Sequence, residues 1–308
     1  MANIRDIAKQ TGYSVSTISR VINDYPYVDE KKRKHVLAVM KELNYVPNST
    51  ARHLSYGKNR NIGVILPFTN HSYFDQVLSG IMQEAFLSNY KVTLLPTNYD
   101  AEVELAYLSQ FVAKEFDGLI ITSRANTIET LLPYQKYGPI VFCEEIKDVE
   151  ASCVYINRKE SVREGLMYLK NQGFTRIGVT LGRSRKLSQN SKITVQLCHE
   201  LFPEFDEEDV FWDCIHYEDG FQAEEFFTKR GIEAIFCNGD DVAAGILKAN
   251  PSRAYSSIVG RDNLLASELM QFSTIDHHLQ LCGKTAFQQF IENKKEKISI
   301  PYTFIIRE

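Results

Sequence analysis

The chain has 308 residues, enough at about 150 per domain for two domains with a small module appended, and it is 44 % hydrophobic and 24 % charged. That balance excludes a disordered, collagen-like or membrane-spanning chain, and no apolar run approaches the roughly 18 residues of a transmembrane helix. The formal net charge of −4 conceals a polarity: residues 1–60 carry 11 basic and five acidic side chains, or +6, and the remainder carries −10. A basic head on an acidic body suits a phosphate-rich partner, although a solvated charged surface has the same composition.

The first residues turn amphipathic at once, without a secretory or transit-peptide pattern, so a cytoplasmic location is expected. The six cysteines (Cys143, Cys153, Cys198, Cys214, Cys237 and Cys282) form no C-x-x-C pair and lie in apolar stretches, which predicts buried free thiols rather than a zinc or disulfide framework. No phosphate loop, nucleophile elbow or metalloprotease motif occurs. Neither a cofactor nor a metal site is called for.

Taken in chain order, Ile4, Ile7, Ala8 and Thr11 recur at helical spacing and meet Gly12, which suits a left-handed helix end. Ser14 can cap a second helix with Ile18, Val21 and Ile22 inward, and Ala8 is small enough for the two helices to cross closely, as in a helix-turn-helix. Outward stand Val15, Ser16, Thr17, Ser19, Arg20 and Asn23, side chains able to approach base edges, with Arg20 long enough for a guanine. A third helix is predicted from Asp29, with Val36, Val39, Met40 and Leu43 inward and Lys31, Lys32, Arg33 and Lys34 outward, before Asn44 at a left-handed cap. Short amphipathic helices joined by glycine also occur in proteins that never touch DNA.

From residue 61 onward, apolar runs such as Ile62–Leu66, Gly118–Ile121, Ile140–Phe142 and Ala234–Phe236 alternate with helical stretches, the pattern of parallel strands covered on both faces. Ligands of such folds bind beyond the carboxyl ends of the strands. That directs attention to residues 69–74, to Ser123 with Arg124, to Glu144 and Glu145, to residues 239–241 and to residues 261–263.

With Ile4-Arg5-Asp6-Ile7-Ala8, the run from Ser14 to Asn23, and Tyr45-Val46-Pro47-Asn48 with Ala51 and Leu54, the chain resembles the LacI/GalR (lactose-repressor) family of bacterial transcription regulators. Asn44 stands where that family usually has Gly. The resemblance implies a recognition helix in the major groove, with Ser14 among its contacts. It also implies a hinge helix in the minor groove bearing Asn48, Ala51 and Leu54. It continues through Tyr73-Phe74, Gly173-Phe174-Thr175-Arg176-Ile177, Gly260-Arg261-Asp262-Asn263 (the family's Gly-Phe-Asp-Asp) and Ser273-Thr274-Ile275 with Gly283. The implied fold is an all-α helix-turn-helix head (1–46), a hinge helix and linker (47–60) and an α/β two-lobed core like periplasmic sugar-binding proteins (61–308). Lobe one would be 61–157 and 275–294, and lobe two 158–274 and 295–308.

By the same resemblance an effector, a sugar or sugar derivative, sits between the lobes. Its candidate contacts are Tyr73, Phe74, Ser123, Glu144, Glu145, Lys186, Ser188, Lys192, Asp240 and Asp262. Three departures stand out: Lys192 where an Arg is usual, Gly239 where Asn is usual, and Asn157-Arg158 without a nearby Gly. The expected function is a dimeric, DNA-binding repressor that recognises a pseudo-palindromic operator. The rivals are a solute-binding receptor with the same core, opposed by the basic head and the missing signal peptide, and an α/β sugar-modifying enzyme, opposed by the missing catalytic motifs.

Overall fold

A computed structural model describes residues 2–46, 58–183, 188–249, 251, 255 and 257–307. It divides into two compact units, Met1–Arg60 and Asn61–Glu308. The expected hinge helix, with Asn48, Ala51 and Leu54, lies outside the described residues.

The first unit holds α1 (Ile4–Thr11), α2 (Val15–Ile22) and α3 (Glu30–Glu42). Each start is set by a short polar side chain. Asn3 Oδ1 accepts from the Arg5 and Asp6 amides at 2.8 and 3.3 Å while Asp6 accepts from the Asn3 amide at 2.8 Å, a capping box; Ser14 and Asp29 cap α2 and α3. Gly12 ends α1 at φ 72° and Asn44 follows α3 at φ 46°. Ile7, Ile18, Val21, Val36, Val39 and Met40 form the core, with Ala8 packed against it. Arg33 departs from the outward placement expected for it. The turn after α2, with Asp24 at φ 51°, leaves a carboxylate and a carbonyl side by side, and Arg33 donates to both Asp24 and Tyr25 O.

The second unit is built on two six-stranded sheets. In the first lie β1 (Asn61–Leu66), β2 (Lys91–Pro96), β3 (Gly118–Ile121), β4 (Ile140–Phe142), β5 (Ser152–Ile156) and β11 (Lys297–Ile300), in the order β11-β5-β4-β3-β1-β2 and all parallel. The second holds β6 (Gly178–Thr180), β7 (Val210–Phe211), β8 (Ala234–Phe236), β9 (Ser257–Arg261), β10 (Ser273–Asp276) and β12 (Thr303–Ile305), in the order β12-β10-β9-β8-β6-β7, with only β12 antiparallel. Strand residues alternate between two cores: Ile62, Val64 and Ile120 face one apolar cluster, Ile65, Leu119 and Ile121 the other. A sheet covered on both faces reads as a continuous apolar run for this reason.

Three crossovers join the lobes: β5 to α7 (Arg158–Asn171), β10 to α12 (Leu279–Glu292), and β11 to β12. The lobe limits expected from sequence shift accordingly. Residues 275–276 close β10 in lobe two, and β11 pairs with β5, which puts residues 297–300 in lobe one because Ile300 and Ile298 complete that lobe's apolar cluster. α12 packs on α4 (Ser72–Leu87) through two glycines: a Cβ on Gly80 would fall 2.0 Å from Gln280 O, and one on Gly283 2.0 Å from Val77 O. All six cysteines are buried and free. Among the described residues no helix is long and apolar enough to cross a membrane.

Candidate functional site

On the head, α2 presents Val15 (43 % exposed), Ser16 and Arg20 to solvent. Ser14 is occupied as the cap: its Oγ accepts from the Thr17 amide at 3.3 Å and lies 2.9 Å from the hydroxyls of Ser16 and Thr17. Thr17, Ser19 and Asn23 are half-buried, and Asn23 Nδ2 donates to Ser19 Oγ at 3.3 Å. The freest donor on this face is therefore Arg20, with Ser16 exposed but within hydrogen-bond distance of Ser14.

In the second unit the carboxyl ends of both sheets face a cleft, and side chains meet across it. Ser72 Oγ donates to Asp241 Oδ2 at 2.6 Å, and Arg158 Nη2 to the Tyr73 hydroxyl at 2.9 Å. The Arg183 guanidinium lies 3.7 Å from the Tyr99 ring centre, while His216 meets Phe68 and His71 at 5.8 and 5.9 Å between ring centres. Phe74 packs among Phe68, His71 and Tyr73, and Ser123 Oγ donates to the Tyr99 hydroxyl at 3.3 Å. Burial raises the Tyr73 hydroxyl and holds His71 below the usual histidine range.

Asp262 stands at the centre of the lobe-two side. Its backbone takes φ 94°, which few non-glycine residues adopt, and its amide donates to Ile275 O at 2.7 Å. Burial would raise its carboxyl. The hydrogen bond from His277 Nδ1 at 2.7 Å and the charges of His277, Arg158 and Arg261 overcome that and keep it below its ordinary range. Burial in turn lowers His277 against the raising effect of Asp262, and its Nε2 lies 3.2 Å from Ser161 Oγ.

Four candidates from the sequence take other places. Asp240 is fully buried: Thr274 Oγ1 and the Leu264 amide donate to its two oxygens at 2.6 and 2.7 Å, and burial pushes its carboxyl up to about 7. It braces the loop after β9, and its neighbour Asp241 is the one that reaches across the cleft. Glu145 is exposed beside Lys147 at 3.3 Å, because the backbone leaving β4 turns Glu144 inward, 2.8 Å from Arg124 Nε. Lys192 is exposed on α8 (Gln189–Leu201), whose buried face carries Ser191, donating to Arg183 O at 2.6 Å, and Thr194. Ser188 caps that helix, accepting from the Ser191 amide at 3.2 Å. Lys186 lies outside the described residues.

The sequence reading did not single out Tyr99, Arg183, Asn190 or His216, and gave no role to His71, inside the segment 69–74, or to His277. No local motif marks them. Arg158 was visible only as part of a departure from the family pattern, and Arg261 only as a member of the strand-end segment 261–263.

Residues 59–308 match the family described as periplasmic binding proteins and sugar binding domain of LacI family, and residues 3–48 match bacterial regulatory proteins, lacI family. The chain is 40 % identical over 307 residues to catabolite control protein B of Bacillus subtilis (strain 168), covering 99 % of each. Its fold is similar to that of the lac repressor dimer bound to operator and the anti-inducer ONPF, with a TM-score of 0.83 at 21 % identity over 99 % of this chain and 98 % of that one. It is similar also to a transcriptional regulator CelR–cellobiose complex, TM-score 0.69 at 18 % identity over 100 % and 99 %. These relatives are regulators and not enzymes, and both the helix-turn-helix head and the two-sheet core agree with them. The chain belongs to the LacI family of bacterial regulatory proteins and is a DNA-binding transcription regulator.

Proposed function

We propose that this regulator is a cytoplasmic homodimeric repressor whose operator affinity is set by a sugar or sugar derivative bound between the lobes. The observation that carries the reading is the cleft itself, where polar and aromatic side chains of two sheets meet and only three crossovers join the lobes. A ligand that contacts both lobes favours one angle between them and so biases a two-state element. The matched sugar-binding description and the cellobiose-bound neighbour support a sugar. In this reading Tyr73, Phe74, Ser123, Glu144 and Asp262 contact the effector, with Asp262 accepting from its hydroxyls.

Two apolar faces support the dimer. Phe86 and Leu87 are 82 % and 72 % exposed on α4, where Met82 is exposed as well, and Leu94 is exposed on the edge strand β2. Leu265 and Leu269 are 66 % and 72 % exposed on α11 (Leu265–Met270). A monomer rarely leaves such patches uncovered. Two heads then place α2 in successive half-sites, Val15, Ser16 and Arg20 reading bases, with Asn48, Ala51 and Leu54 assigned to the minor groove by the family resemblance.

The test is fluorescence anisotropy of genomic fragments with the full-length protein, with and without candidate sugars. The expected result is salt-sensitive binding of one pseudo-palindrome whose half-sites lie about one helical turn or a multiple apart, shifted by a ligand. Equal affinity for all fragments would refute the repressor reading.

A further inference from the structure

We infer that the effector of this cleft is anionic, a polyol bearing a phosphate or carboxylate whose oxygens are received by Arg261 and Arg158; the inference rests on the cleft being the effector site proposed above. Arg261 closes β9 at the position where the family pattern has an aromatic residue. It is 1 % exposed, the largest fully buried side chain described. Its Nε donates to Cys237 O at 3.0 Å, Nη1 donates to Asn190 Oδ1 at 3.2 Å, and the guanidinium sits 5.4 Å from the Phe236 ring centre. Nη2 is closed off from solvent and has no partner among the described residues. A guanidinium offers five donors in a rigid fork, and a buried donor left unpaired is costly.

The surroundings repeat the theme. Among the described residues the Arg158 guanidinium bonds a neutral phenol alone, and Arg183 lies on the Tyr99 ring. Among the described residues none of these three guanidiniums has a carboxylate within 4.0 Å, whereas Arg124 and Arg176 face Glu144 and Asp209 at 2.8 and 2.7 Å. Asp262, the ionised carboxylate nearest in charge to Arg158 and Arg261, already accepts from His277. Burial lowers Arg261 only to about 10, so it remains charged at neutral pH. The carboxylates around these guanidiniums are engaged elsewhere, Asp262 by His277, Asp240 by Thr274 and Leu264, Glu144 by Arg124 and Asp241 by Ser72, so the free guanidinium donors await acceptors that a ligand must bring. An oxyanion supplies them and matches the planar fork with paired acceptors.

The test uses the full-length protein at constant ionic strength, following thermal unfolding and calorimetric binding with inorganic phosphate against chloride, and with glucose 6-phosphate, gluconate and glucose. Phosphate is expected to raise the melting temperature of the core beyond the chloride control, and Arg261→Met to weaken that binding at least tenfold, with Arg261→Lys in between. Phosphate held by the basic head survives both substitutions and is thereby separated. Whichever of glucose 6-phosphate and gluconate binds at least tenfold tighter than glucose identifies the oxyanion. Should Arg261→Met fail to fold, Arg158→Met makes the same test, since its one bond is to a tyrosine hydroxyl. Phosphate no better than chloride, phosphate binding unchanged in both variants, or glucose binding as tightly as the two anions would overturn the inference. A neutral sugar that shifts operator affinity while phosphate is inert would overturn the anionic ligand and leave the repressor reading standing.

Discussion

The contact between α4 and α12 offers a quantitative test, because it ties the cleft to a proposed dimer face. In Gly283→Ala the new methyl would lie 2.0 Å from Val77 O and 3.0 Å from Ile81 N, both backbone atoms that no rotamer change can move aside. Restoring an ordinary contact of about 3.5 Å requires the helices to separate by roughly 1 Å or more. Overpacking of this kind costs about 1–3 kcal/mol and somewhat more against backbone, offset by about 0.8–1 kcal/mol of helix propensity gained on replacing Gly. A net loss of about 2 kcal/mol follows, which for a unit of this size lowers the melting temperature by about 4–8 °C. The displacement also carries Tyr73, at the start of α4, away from Arg158, and Phe86 away from its place on the exposed face. Differential scanning calorimetry of the full-length protein, with Gly239→Ala as control because a Cβ there meets nothing within 4 Å, measures the effect. A Gly283→Ala core that melts at or above the wild-type temperature would refute the close packing, since only the propensity gain would then remain.

Arg20→Ala is expected to cost about 1–3 kcal/mol of operator affinity and to relax one base position in each half-site, read by competition with single-base operator variants; uniform weakening across all sequences would mean a phosphate contact instead. Phe86→Asp should shift the proposed dimer toward monomer in sedimentation equilibrium and reduce operator binding without lowering the core's melting temperature, because Phe86 is 82 % exposed in the single chain. Asp240, with its carboxyl raised to about 7, contributes stability that is complete below about pH 4, its unfolded value, and lost as pH rises through 7. Asp240→Asn should therefore gain stability relative to wild type between pH 5 and pH 8 in urea unfolding, and a pH-independent difference would count against that burial.

What could be read from the sequence alone was local. Caps act within three or four residues, so Asn3, Ser14, Asp29, Gly12 and Asn44 announce the three head helices with their limits, and apolar runs announce strands covered on both faces. The family pattern extended this to two lobes and a cleft. It could not say which of two adjacent carboxylates turns inward, and the structure chooses Glu144 over Glu145 and Asp241 over Asp240. Nor could it place Lys192 on the exposed side of α8 or β11 in the first sheet. Those outcomes depend on the direction in which a chain leaves a strand and on which neighbour pairs with it, over separations such as the 169 residues between Ser72 and Asp241 or the 85 between Tyr73 and Arg158. Arg261 is the sharpest case. In sequence it is one substitution in a four-residue motif, and only the packing of β8, β9 and α8 around it makes it a buried cation with a donor to spare.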